Sequence, residues 1–426
     1  MSVPGVRVVL DARPLQDPGR APATAVYLEG LLGAFDADPL AGESFAFLLA
    51  SDLDDPTTRF TNLQVIGRRL LPPIRLLRSG ALTVDPFLLR GASLGAAWRA
   101  ERGGAAGAVY HASSGSIPLA SGLPVVVTIL DLAPWELPRA FQRGAAARFG
   151  LRLRARLVRD AGAVIVASEA TARDVRRLLR PRRERIRVVP LAARDAFRPE
   201  AAGGDAAAAE RRRLGLPDRY LVYAGRFDAR QDLRGLLVAL AELARAERPA
   251  DLPEGIPWPP RVLLVGASPD DRAALARAAA REAVGDLVLY APRLEPERLA
   301  TLIAGARAAV LPAMSDAAGL NASEAIASGT PVVASAVGAL PEIVGSAGIL
   351  VEPGDPSRLA AALGAVWAEE RVYERLRAAV RERLAAPRRR WRDVARETRE
   401  VYAAVGVRRA AGPAAIEDSE AEPFRP

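Results

Sequence analysis

The chain has 426 residues, half of them hydrophobic and 26% charged, which is enough apolar mass for two large cores and excludes a disordered chain. It has no cysteine, its 59 basic residues are all arginine, and it has one histidine, so disulfides, thiolate or multi-histidine metal centres, Schiff-base lysines and a P-loop lysine are excluded. The net charge of +9 is spread along the chain with only 5% aromatic residues, which favours an anionic ligand or surface over nucleic acid.

No apolar run reaches the ~18–20 residues that cross a bilayer, and the first residues carry no secretory pattern, so a cytoplasmic protein is expected. Val6–Leu10 is a short apolar run of the kind that forms a buried parallel strand, and Ala25–Phe35 follows as a helix. Further strands are predicted at Ser44–Leu49, Ala108–His111, Pro124–Leu130, Ala163–Ala167 and Ile186–Val189, with the Arg-rich Arg143–Arg159 stretch as a helix. Arg68–Thr83 interleaves arginine with leucine and isoleucine. It reads either as a loop and short helix on the core or as a basic amphipathic segment for an anionic membrane surface.

Residues 197–218, rich in Ala, Gly and Pro, break the periodicity and read as a linker. A second series follows: strands at Tyr220–Ala224, Arg261–Val265, Leu287–Tyr290, Ala308–Pro312, Pro331–Ala334 and Gly348–Val351, with helices such as Asp270–Glu282 and Pro356–Trp367 between them. The alternation predicts an α/β chain of two tandem Rossmann-like, doubly wound domains facing a central cleft. The expected divisions are 1–196, a linker at 197–218, a second domain at 219–385, a C-terminal helix at 386–408 and a disordered tail at 409–426.

The segment from Ser315 to Pro356 carries two acidic residues eight positions apart, Asp316 and Glu324. Gly319-Leu320 lies between them, and a Gly329-Thr330-Pro331 strand entry and a Pro341-Glu342 turn follow. Asp316–Leu320 follows a strand and opens a helix, so the N–H groups of Gly319, Leu320 and Asn321 are expected to face an anion. Tyr220–Leu237 adds a strand, then Gly225-Arg226, then a basic residue, Arg230, near a helix start; Gly266 closes the next strand. In the first half, Leu130-Asp131-Leu132 ends a strand, Ser168-Glu169 sits at another strand end, and His111 reads as a structural histidine.

Taken in this order, the motifs resemble the GT-B glycosyltransferases of family 4, the "group 1" transferases, over about Val6 to Glu400. The resemblance implies a retaining, metal-independent hexosyltransferase with no cofactor beyond a nucleotide-sugar co-substrate. The second domain would hold the donor, and the first would hold an acceptor that is a sugar, a lipid or a protein. It implies donor contacts from Arg226, Gly225, Arg230, Gly266, Gly319 and Leu320, a ribose contact from Glu324, and catalytic roles for Asp316 and Asp131. Several cleft positions depart from the family: Ala23 and Ala25 stand for glycines, Leu130 for histidine, Gln231 for lysine, Asp316 for glutamate, and Ala318 for an aromatic. These departures keep an alternative open, a catalytically inactive member that acts as a binding or scaffolding partner.

Overall fold

The computed structural model describes residues 5–72, 107–113, 117–119 and 121–410. Seven strands form the first sheet: β1 (Arg7–Asp11), β2 (Ser44–Ala50), β3 (Val65–Leu71), β4 (Ala108–Ala112), β5 (Val125–Ile129), β6 (Ala163–Val166) and β7 (Ile186–Val188). Six form the second: β8 (Leu221–Ala224), β9 (Val262–Val265), β10 (Val288–Ala291), β11 (Ala308–Leu311), β12 (Val332–Ser335) and β13 (Gly348–Val351). The apolar runs of the central strands are buried because helices cover both faces of each sheet.

The strand orders are β3-β2-β1-β4-β5-β6-β7 and β10-β9-β8-β11-β12-β13, with every neighbour parallel. Each sheet therefore reverses direction once, between β1 and β4 and between β8 and β11, which opens a crevice at the carboxyl ends of those strands. The two crevices face one another, and that arrangement positions the site.

The structure departs from expectation in two places. Arg68–Leu71, read as loop or amphipathic helix, belongs to edge strand β3, whose exposed Ile66 and Leu70 leave no buried alternation for a sequence pattern to register. The rest of that stretch, 73–83, and the expected tail from 411 onward lie outside the described residues. Within the expected linker, Gly204–Arg213 forms a helix. It is tied down by Glu210, which accepts from Arg213 within the helix and from Arg298 across to the next domain.

The C-terminal helix, Trp391–Ala410, returns to the first domain and packs on the Pro22–Ala37 helix. It buries Val394, Val401 and Tyr402 there, each valine contributing roughly 1.5–3 kcal/mol. Arg399 forks onto both oxygens of buried Glu43 at 2.9 and 2.7 Å and donates to the Asp38 carbonyl at 2.7 Å. Gly30 is where the helix's first residue lands: a Cβ there would overlap the Trp391 ring.

Candidate functional site

The facing crevices enclose a cavity of about 1060 Å³ lined by both domains. Its floor on the second-domain side is the loop from β11 into the Leu320–Ala327 helix. Asp316 lies here, and its carboxylate accepts from the backbone N–H of Gly319 at 2.7 Å and of Ala318 at 3.1 Å. That corrects the expectation that the Gly319 N–H is free for an anion: the shorter aspartate turns back on its own loop. Burial pushes the Asp316 carboxyl upward, and the two N–H donors oppose the shift. Gly319 has φ +63°, a left-handed conformation that favours glycine, and a Cβ there would displace the tip of the Ile343 side chain. Leu320 and Asn321 occupy the first turn, where N–H groups have no intrahelical acceptor, and both line the cavity.

Glu324, one turn on, is 2% exposed, and its carboxylate is gripped by the Arg194 guanidinium, Nε to Oε1 at 2.6 Å and Nη2 to Oε2 at 3.0 Å. Arg194 lies past β7 in IRVVPLAARDAFRP, a segment that resembles the family's last strand and approach to the linker but to whose arginine that resemblance assigns no role.

Opposite lies the turn after β8. Gly225 has Tyr223 beneath it, whose hydroxyl donates to the Arg226 carbonyl and fixes the turn. Arg226 crosses to the first domain and donates to the Arg20 carbonyl at 2.7 Å. Burial and the neighbouring Arg230 lower its pKa. Arg230 is held by two carboxylates: Asp131 of the first domain at 2.6 and 3.2 Å, and Asp228 at 2.5 Å. Its guanidinium also stacks 4.6 Å from the centre of the Phe141 ring. Asp131 additionally caps the N–H of Ala133 at 3.0 Å. Arg230 and Asp131, assigned separately to donor and acceptor chemistry, thus form one pair across the cleft. Gln231 lines the cavity where the family has lysine, and its buried Oε1 has no hydrogen-bond partner. Gly266, at φ +90° after β9, also lines it.

Ala23, Leu130 and Ala318 also line the cavity, whereas His111 and Ser168-Glu169 do not. His111 is fully buried, bonded through Nε2 to Thr128 Oγ1 at 2.8 Å and through Nδ1 to the Tyr402 hydroxyl at 2.6 Å. Burial pushes its pKa down to about 3, so it is neutral. Ser168 caps the Glu169–Leu178 helix. The N–H groups of Glu169 and Ala170 donate across the domain boundary to Glu342 at 3.3 and 3.1 Å. Glu136 was not anticipated: burial raises its pKa, and it accepts from the Ser315 hydroxyl at 2.5 Å, beside Asp316.

Residues 218–369 match the family described as "Glycosyl transferases group 1", and residues 46–192 match "Glycosyl transferase 4-like domain". The chain is 36% identical over 254 residues to a D-inositol 3-phosphate glycosyltransferase of Acidothermus cellulolyticus, covering 57% of this chain and 54% of that one. It is 42% identical over 122 residues to an MMP alpha-(1->4)-mannosyltransferase of Mycolicibacterium hassiacum, covering 28% and 29%. It therefore spans about half the length, or less, of these curated relatives. Among solved structures, sucrose-phosphate synthase from Thermosynechococcus elongatus superposes with a TM-score of 0.67 at 23% identity, covering 93% of this chain and 98% of that one. Anabaena Alr3699/HepE in complex with UDP and glucose superposes with a TM-score of 0.65 at 17% identity, covering 93% and 98%. Two family matches that between them span both Rossmann-like domains, on a fold shared with these structures, mean that the chain belongs to the GT-B glycosyltransferases of family 4, the group 1 transferases.

Proposed function

We propose that the chain is a retaining glycosyltransferase that moves a hexosyl group from a nucleotide-sugar to an acceptor hydroxyl. One observation carries this reading: Arg226, Arg230, the start of the Leu320–Ala327 helix and Glu324 converge on a single cavity at the facing switch points of two doubly wound sheets. The diphosphate would lie between Arg226 and the helix start, where the guanidinium and the N–H groups of Leu320 and Asn321 meet negative charge. Glu324 would accept from the ribose, and Asp316 would face the sugar. In the transfer, the bond from the anomeric carbon to the diphosphate oxygen breaks and the acceptor oxygen bonds that carbon on the same face. The acceptor proton passes to the departing diphosphate. Arginine supplies the positive charge, so the proposed reaction uses no metal and no further cofactor.

The Anabaena neighbour's complex with UDP supports a uridine nucleotide as the first donor to test. Titration calorimetry with UDP, GDP, ADP and their sugars is the experiment. Selective binding that weakens about tenfold or more in Arg226→Ala is the expected result. No binding to any nucleotide would overturn the reading. Binding without turnover would favour the scaffold alternative, which draws on one observation: Asp316, Asp131 and Asp228 occupy the Gly319 N–H and the Arg230 guanidinium.

We further propose that the protein works in the cytoplasm at an anionic membrane surface. No described helix is long and apolar enough to cross a membrane. The support is peripheral: Ile66 and Leu70 are 46% and 62% exposed on β3, and Phe149 is 56% exposed on the Arg-rich Ala145–Asp160 helix. Co-flotation with phosphatidylglycerol-containing liposomes, falling as salt rises, is expected; no co-flotation would sink the idea.

A further inference from the structure

We propose that Arg194 is a positioning residue for the donor ribose, holding Glu324 as an ionised, fixed acceptor of the ribose hydroxyls. The inference rests on the donor-site reading above and adds a residue to which the resemblance assigned no role.

The geometry carries it. Glu324 is 2% exposed, so water solvates its charge poorly. Burial alone favours its neutral form, which offers an O–H donor in place of one acceptor site and so accepts fewer hydrogen bonds from a diol. Arg194 opposes this by a two-point, charge-assisted grip at 2.6 and 3.0 Å. An ionised carboxylate has about four acceptor sites; Arg194 engages it through the fork, one N–H on each oxygen, and through its backbone N–H. The capacity left over is what a ligand would use, and both residues line the cavity.

The guanidinium is itself fixed. It stacks 4.7 Å from the centre of the Phe197 ring, and Phe197 is fully buried. The Arg194 carbonyl accepts from Arg388 at 2.9 Å. Arg194 lies in the segment that leaves the first domain, whereas Glu324 lies on the helix that opens at the donor loop. The pair therefore registers the ribose position against the interdomain connection.

The test compares affinity for each ribonucleoside diphosphate (UDP, GDP, ADP) with that for its 2′-deoxy and 3′-deoxy analogues. Ribose preference is a property that a merely structural ion pair does not control. The wild-type protein should prefer the ribonucleotide by about tenfold, the worth of one hydrogen bond to a charged group. Arg194→Met should lose most of that preference, and Arg194→Lys, which keeps charge without the fork, should retain part of it. The double variant Arg194→Met/Glu324→Gln should discriminate no worse than Arg194→Met. Should Arg194→Met fail to fold in thermal melts, the lowered ratio in Arg194→Lys decides. An unchanged ratio in a folded variant that binds nucleotide overturns the proposal while the donor-site reading stands. Tighter ribonucleotide binding by the variants also overturns it, since Arg194 would then be a competitor of the ribose. A wild-type protein that binds no nucleoside diphosphate overturns both readings.

Discussion

His111 is the one histidine in the chain, and its burial makes it a clean probe of how this core responds to pH. Its folded pKa lies near 3 against an ordinary value of 6.5, so between those values the unfolded chain binds a proton that the folded chain does not. Stability from this group is complete above about 6.5 and falls as the pH drops toward 3, by up to about 1.4 kcal/mol per pH unit. His111→Gln keeps a donor and an acceptor for Thr128 and Tyr402 without the titration. Its denaturation midpoint should fall less steeply between pH 6.5 and 4 than that of the wild type, and parallel curves would refute the assignment. At this scale the sequence spoke unevenly. Arg226, Gly266, Gly319 and Glu324 were legible because each sits at a fixed offset from a strand end or helix start. Arg194 was not, because its partner is 130 residues away in the chain. Nor could any pattern reveal that Arg230 and Asp131 meet, since their distance is a property of the closed cleft.

At the scale of elements, the loop Ser315–Gly319 is gripped from three sides. The Ser315 hydroxyl bonds Glu136, the Ala317 carbonyl accepts from Thr171 Oγ1 at 2.9 Å, and the Asp316 carbonyl accepts from the Ala339 N–H at 2.9 Å. The last contact requires Gly338, which has φ +52° and whose Cβ would run into the Asp316 carbonyl. Gly338→Ala should therefore combine left-handed strain with a backbone clash, costing roughly 2 kcal/mol or more, and should impair nucleotide binding through the displaced loop. Gly42→Ala is the control, because Gly42 has φ +80° but open space around it, leaving strain alone at about 1–2 kcal/mol. Equal losses of melting temperature in the two variants would show that the loop yields. The strands around this loop were readable as apolar runs because parallel strands are covered on both faces. β3 was not: it lies at the sheet edge, and five of its seven residues are exposed. The Gly204–Arg213 helix was hidden for a related reason, its sequence offering alanine and arginine with almost no apolar face.

Across the cleft, polar contacts join the two domains beside the buried Ala317, Ala318 and Leu320, which pack into the first domain's cores. Arg230 pairs with Asp131, Arg226 reaches the Arg20 carbonyl, Thr171 reaches Ala317, and Glu342 accepts from the N-terminus of the Glu169–Leu178 helix. Asp131 is 44% exposed in its side chain, so its pair with Arg230 is worth about 1 kcal/mol or less and weakens with salt. Glu342 is the stronger clasp, because it meets two unpaired N–H groups and the positive end of a helix dipole. A few such contacts set a closed state only a few kcal/mol below an open one, the range in which a ligand or a single substitution shifts populations. Because the chain has no cysteine, one can be introduced into each domain and spin-labelled without background. Glu342→Ala should broaden the distance distribution toward longer separations, and Asp131→Ala should do so less. Raising salt should narrow the gap between wild type and Asp131→Ala. Nucleoside diphosphate should restore the short distances, since Arg226, Glu324 and the Leu320 helix start then gain a shared partner. A distribution identical in wild type and Glu342→Ala would mean that closure is held by the buried Ala317, Ala318 and Leu320 contacts with the first domain, and the polar clasp would be rejected.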